Sequence, residues 1–312
     1  MEDIQSGAAA KAGPAKKPLS AAQIRKKIIT RRARLRALIQ LIFFVSIPGA
    51  FVAGFSGVKH IFQWIGKGEV LEIDSFVMVL LALCGFTVLF GRFFCGFVCA
   101  FGSLGDAVNA LSVLFQKKVL KRKKPFRFPE GLLSVLQKVK YLVLAAIVIL
   151  CGLNLYDKTA GYSPWDVFSQ LTALRLPSGA ILSGIILFIL ILAGMALQPR
   201  FFCQCLCPLG AVFALLPVYP FSQLERNKDR CIKGCNACKN QCPVGIKLEH
   251  DGMRNGECIA CEACVSACPR FPQSNISRWD LKLTGGKACI SVCLKAAVFF
   301  LMGCALGLCR FL

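Results

Sequence analysis

The sequence predicts a mainly α-helical membrane protein of about five transmembrane helices, with a repeated two-helix unit and a small, cysteine-rich α+β module. Three observations carry that expectation. Hydrophobic residues make up 56% of the 312-residue chain, and its mean hydropathy is +0.61, above the usual range of a soluble protein. The apolar residues are clumped into runs rather than spread at helical or strand period. Cysteine is abundant, with 19 against two histidines, and eight of the 19 are crowded between Cys231 and Cys268.

Taken in order, residues 1–36 hold ten Lys or Arg and two acids. They read as a basic tail, disordered at first and a basic surface helix from Ala21 to Arg36. No charge falls between Ala37 and Val58, which places a first span near residues 37–58. The second is expected near 75–99, where the uncharged run from Ser75 to Gly91 is closed by Arg92. The third lies near 138–156, with Lys138 and Lys140 snorkelling to the interface. The fourth lies near 176–199. A weaker fifth, interrupted by Lys295, occupies 287–312. These assignments give a membrane domain over 37–221 and a separate module over 222–286.

The net charge is +22, with the excess in blocks beside apolar runs. That pattern orients a membrane protein and argues against nucleic acid as a partner; lipid is the expected neighbour. The segment 101–140 carries nine Lys or Arg and two acids, whereas the loop 59–74 carries two Lys and three acids. The positive-inside rule then places the N-terminus, the 101–140 segment and residues 200–287 on the cytoplasmic side of the cell membrane, with the end of the chain outside. No cleavable signal peptide is expected, because no apolar core with a small-residue cleavage site precedes the first span. A nucleotide loop and a catalytic triad are not seen. The lack of an intramembrane histidine pair argues against haem b. Trp165, in an outer loop, is expected to anchor at the interface.

The cysteines carry the chemistry. Cys258-x2-Cys261-x2-Cys264-x3-Cys268-Pro269 has the spacing of a bacterial two-cluster ferredoxin, in which three close thiolates hold one cubane and the fourth crosses to the other. Cys231-x3-Cys235-x2-Cys238-x3-Cys242-Pro243 follows it with one extra residue, which a bulge at Gly234 would absorb. By the cross-over rule Cys231, Cys235, Cys238 and Cys268 hold one [4Fe–4S] cluster, and Cys242, Cys258, Cys261 and Cys264 hold the second. Zinc sites favour two Cys-x2-Cys pairs, and a cytoplasmic location disfavours disulfides. Module 222–286 is therefore expected to be a ferredoxin-like fold.

A repeat supplies the second signal. Arg92-Phe93-Phe94-Cys95-x3-Cys99 is matched by Arg200-Phe201-Phe202-Cys203-x3-Cys207, each copy closing a span. Residues four apart share a helix face, so Cys95 with Cys99 and Cys203 with Cys207 are expected to present paired thiolates to a further metal or iron–sulfur centre near the cytoplasmic interface. Packing or thiol redox chemistry are the competing roles. Arg92 and Arg200 are expected to snorkel to the interface, with pairing to cluster sulfide or lipid phosphate as the competing role. Cys84, Cys151, Cys304 and Cys309 read as small packing residues.

The order of these features, four spans with Cys-x3-Cys motifs closing alternate ones and then a two-cluster ferredoxin, resembles the NapH/NosR type of membrane ferredoxin over roughly residues 37–272. Ala100 stands where the family's first motif has proline. The resemblance implies an electron-transfer subunit, of quinol dehydrogenase type, passing electrons between cytoplasmic clusters or the quinone pool and an extracytoplasmic reductase or flavoprotein. A related cytochrome-oxidase assembly group has similar features and reduces copper. A metal-reducing assembly factor is therefore the alternative, and a redox-sensing membrane regulator is a third class.

Overall fold

Ser20 opens the first helix with a capping box. Its hydroxyl accepts from the Gln23 N–H while the Gln23 side chain accepts from the Ser20 N–H. The computed structural model describes residues 20–69, 73–121, 126–156, 163–173, 182–219, 224–226, 231–246, 256–270, 276–277 and 286–309. Helix α1 spans Ala21–Ser46 and α2 spans Ala50–Lys67. The two are bent by 63°. Pro48 and Gly49 fall inside the span expected near 37–58, and proline cannot continue an α-helical hydrogen-bond ladder, so the apolar run bends there.

Helix α3, Ser75–Phe90, starts at Asp74, whose carboxylate accepts from the Val77 N–H at 2.8 Å and lies 2.6 Å from His60 Nδ1. Two glycines let neighbours pack on α2. A Cβ on Gly57 would stand 2.4 Å from the Phe76 carbonyl oxygen of α3, and one on Gly66 would stand 2.1 Å from the Gly152 carbonyl oxygen. The second span, expected to run to 99, stops as an α-helix at Phe90. Gly91 takes φ 69°, and a π-helical turn follows over Phe94–Val98.

Helix α4 covers Ala100–Lys118 and α5 covers Glu130–Gly152. Among the described residues α5 is the one helix long and apolar enough to cross a membrane unaided, and the bent α1–α2 pair makes a second candidate if it counts as one span. Lys140 of α5 does not snorkel: it is fully buried. The short α6, Pro164–Thr172, lays Trp165 over Phe55 with ring centroids 5.3 Å apart, so this half-buried tryptophan packs on the core. Helix α7, Leu182–Leu197, stands where the fourth span was expected, and residues 174–181 at its start lie outside the described residues. Two short helices, α8 over Phe201–Cys205 and α9 over Pro208–Leu215, follow.

The cysteine-rich segment contributes β1, Glu225–Arg226, paired antiparallel with β2, Ile276–Ser277, and two one-turn helices, α10 over Ala237–Gln241 and α11 over Ala263–Ala267. Helix α12, Gly286–Ala305, closes the chain. Its Phe299 packs on Phe43, Phe86 and Phe94. Cys304 and Cys309 at its end, expected to be packing residues, are bonded to each other as a disulfide.

The core lies where the two repeats meet. Phe101 and Phe202 meet at 4.0 Å between centroids with their rings tilted by 30°, and Phe51 closes on both. The outer helix faces are aliphatic instead of polar, with Leu142 and Ile149 on α5, Ile186 and Leu190 on α7, and Leu294 and Leu301 on α12 all exposed. Water penalises such a surface and lipid does not.

Candidate iron–sulfur centres

Each Cys-x3-Cys pair straddles a helix break instead of lying on one helical face. Cys95 sits in the π turn and Cys99 is the N-cap of α4, while Cys203 sits in α8 and Cys207 is the N-cap of α9. The same wide turn recurs in both copies, with Cys99 N–H donating to Phe94 O and Cys207 N–H to Phe202 O, each at 2.9 Å. Bonds from i to i+5 mark π-type turns, which concentrate at functional sites. The turn swings the second cysteine off the first one's helix and onto the start of the next.

The four cysteines are buried, at 6–8% exposure, and every pair among them is within electrostatic reach. The repeats therefore bring Cys95, Cys99, Cys203 and Cys207 together. Gly210 N–H donates to Cys207 Sγ at 3.1 Å, and the Gly102 N–H faces Cys99. Each of these N–H groups stands at a helix start, where it would stabilise charge on a sulfur that ligates a metal.

The two repeat arginines do not snorkel. Arg92 and Arg200 are each 1% exposed, and each reaches into the other copy. A Cβ on Gly102 of the first copy would stand 2.3 Å from Arg200 Nη1, and one on Gly210 of the second would stand 3.0 Å from Arg92 Nη2. Arg200 forms a two-pronged pair with Asp106, Nε to Oδ1 at 2.8 Å and Nη2 to Oδ2 at 2.6 Å, and donates to the Cys95 and Gly96 carbonyls. Arg36 and Gln40 of α1 also donate to Asp106, at 2.6 and 2.8 Å. Burial pushes the Asp106 carboxyl up, but Arg200 and Arg36 outweigh it and hold it below its ordinary range. Arg92 pairs instead with Glu257 of the cysteine-rich segment, at 3.3 Å, and donates to the Gly256 carbonyl at 2.9 Å. Lys140 and Tyr141 of α5 converge on the same carboxylate.

Cys231, Cys235, Cys238 and Cys268 line one cavity with Arg226 and Ile276. Arg226 Nε donates to Cys231 Sγ at 3.3 Å. Gly234 takes φ 73°, the left-handed conformation that the extra residue in this run calls for. Cys264 is within electrostatic reach of Cys261, Cys258 and Cys242, and also of Cys238. The backbone N–H groups of Val244, Gly245 and Ile246 surround Cys242. Burial pushes the Cys258 thiol up to about 12, with Cys261 adding to it. Crowded buried thiols become stable anions when a bound metal offsets their charge, so this donor set fits an iron cluster. Among the described residues no three His, Cys, Asp or Glu side chains converge on a single ion, and a cubane keeps its thiolates further apart than one ion does.

Sequence reasoning missed Asp106, Glu257, Arg36 and Gln40. A signal existed for Asp106, the sole acid between Ser75 and Pro129. Glu257 had none, because its partners lie more than a hundred residues away.

The sequence family described as "4Fe-4S binding domain" matches residues 75–126 and 180–218, the two membrane repeats with Cys95, Cys99, Cys203 and Cys207. A Methanocaldococcus jannaschii protein, MJ0750, is 31% identical over 239 residues, covering 76% of this chain and 92% of the relative. The putative electron transport protein YccM of Escherichia coli is 25% identical, covering 72% of this chain and 63% of its own length. Protein NirI of Paracoccus denitrificans is 25% identical, covering 78% of this chain and 35% of its own. No solved structure matches. The family match and these relatives define the class: membrane-associated iron–sulfur proteins of electron transfer or its regulation. The chain belongs to the NapH/NosR-type membrane-associated ferredoxin family.

Proposed function

We propose that this protein conducts electrons along three cysteine-framed centres, from the cytoplasmic side toward a partner across the membrane. Cys231, Cys235, Cys238 and Cys268 hold the first [4Fe–4S] cluster. Cys242, Cys258, Cys261 and Cys264 hold the second, and Cys95, Cys99, Cys203 and Cys207 hold a third centre. Iron–sulfur clusters, when bound, supply one-electron transfer. The protein's own part is to bury the thiolates, aim N–H donors at them and fix their spacing, which together set potential and rate.

One contact carries this reading. A Cβ on Gly96, between Cys95 and Cys99, would stand 2.3 Å from the carbonyl oxygen of Ile259, between Cys258 and Cys261. Glycine at position 96 thus lets a ligand loop of the ferredoxin segment lie directly on the turn that carries the membrane cysteines. The match of a 4Fe-4S family to residues 75–126 and 180–218 adds support. In this reading residues 37–221 form the membrane domain and 222–286 a cytoplasmic ferredoxin-like module, with the N-terminus inside. The helices near 37–58, 75–99, 138–156 and 176–199 and α12 lie in lipid. The partner is an extracytoplasmic reductase or flavoprotein, with quinone as donor or acceptor.

Iron and acid-labile sulfide per chain on anaerobically purified protein, with EPR of the reduced state, test the proposal. More than the about eight irons of two cubanes is expected, with the excess lost in a Cys95→Ser, Cys203→Ser variant. An iron content of two cubanes in the wild type sinks the third centre.

A further inference from the structure

The two repeats differ at one point that matters. The register that aligns Arg92 with Arg200 and Gly102 with Gly210 places Ala214 opposite Asp106. Arg200 therefore has an internal carboxylate, and the equivalent position in the second copy offers Arg92 none. Arg92 is nevertheless as buried as Arg200, and a buried guanidinium without a counter-charge is strongly destabilising. The missing charge comes from elsewhere. Gly256 lies against Ala214 so closely that a Cβ on it would stand 2.2 Å from the Ala214 carbonyl oxygen, and the next residue, Glu257, reaches Arg92. The replacement is imperfect: Arg200 uses Nε on Asp106, whereas the buried Arg92 Nε has no hydrogen-bond partner among the described residues.

We infer that Glu257 supplies, from the ferredoxin segment, the carboxylate that the second repeat lacks, and that this plug seats the Cys258–Cys264 loop on the membrane cysteines. The small side chain of Ala214 and the absent one of Gly256 open the space, and Arg92, Lys140 and Tyr141 receive the charge. Arg92 is placed to matter for transfer as well as for docking. It is within electrostatic reach of Cys95 and Cys207 on one side and of Cys258 on the other, so one guanidinium is shared between a ferredoxin ligand set and the membrane set. Glu257 and Arg92 are positioning residues for the proposed electron path, on which this inference rests.

The test uses the full chain, purified anaerobically with its clusters, as wild type, Glu257→Gln and Glu257→Asp. Iron per chain, EPR-monitored midpoint potentials and hydrogen exchange over residues 256–262 are measured. In the Gln variant iron is expected to stay at the wild-type level and exchange over 256–262 to quicken. One cluster, having lost a nearby negative charge, is expected to become about tenfold easier to reduce, about 59 mV for one electron. The Asp variant is expected to restore part of both changes. A purely structural role would not move the midpoint. Wild-type exchange and midpoints in a Gln variant with full iron overturn the inference. If that variant fails to assemble clusters, Ala214→Asp, which leaves Glu257 and every cysteine in place, is read by exchange alone. Quicker exchange over 256–262 sustains the plug, and unchanged exchange overturns it. Iron confined to two cubanes would remove the third centre yet leave the exchange result standing.

Discussion

Asp106 shows how much one side chain holds. Three donors, Arg36, Gln40 and Arg200, share its two oxygens, and Arg200 and Gln40 also clamp the Gly96 carbonyl beside Cys95. Asp106→Asn keeps the shape and removes the charge, leaving the buried Arg200 uncompensated. A loss of about 3–5 kcal/mol is expected, read as a lower thermal midpoint of the detergent-solubilised protein, with release of iron from the membrane cysteines ahead of the ferredoxin set. At this scale the sequence was half legible. The eight ferredoxin cysteines and the four repeat cysteines stood out because cluster ligation demands fixed spacing. Gly234 could be named because an inserted residue must be absorbed somewhere. The arginines were misjudged because an arginine beside an apolar run looks the same whether it meets lipid phosphate or a distant carboxylate.

Among the elements, the boundaries were least legible where the backbone breaks inside an apolar run. Hydropathy runs unbroken across Pro48, and the charge at Arg92 ends a run without saying how the backbone turns, so neither the 63° bend between α1 and α2 nor the π turn after α3 is registered. Both breaks have work to do: the first lets α2 turn into the core, and the second places Cys99 at a helix start. The packing of α2 rests on its glycines. Gly66→Leu drives a side chain into the Gly152 carbonyl of α5. It is expected to cost about 1–3 kcal/mol through overpacking, seen as a lower melting temperature. Gly85→Ala on α3, which meets nothing within 4 Å, is the control and should leave the melting temperature equal or higher.

For the whole molecule, the repeat was visible in the letters, but its interlock was not. Each arginine packs into the other copy, Arg200 over Gly102 and Arg92 over Gly210, although only Arg200 finds its carboxylate there, and the Phe101–Phe202 pair joins the two copies. Neither half can then bury its own arginine alone. Fragments 1–121 and 126–312 are expected to accumulate in membranes and retain iron only when co-expressed, with either fragment alone degraded; the measurement is recovery of each tagged piece with and without its complement. Equal recovery of a lone fragment carrying iron would contradict the interlock.

The exchange of Asp106 for Ala214 gives that interlock a further meaning. A pair of like halves that clasp each other symmetrically has no place for a third body, since every charge is answered within the pair. Removing one acid leaves a vacancy of defined sign and size, and Glu257 fills it. A joint between two like halves is thereby also a socket with a keyed insert, and the charge symmetry of the two halves is broken where electrons are expected to enter.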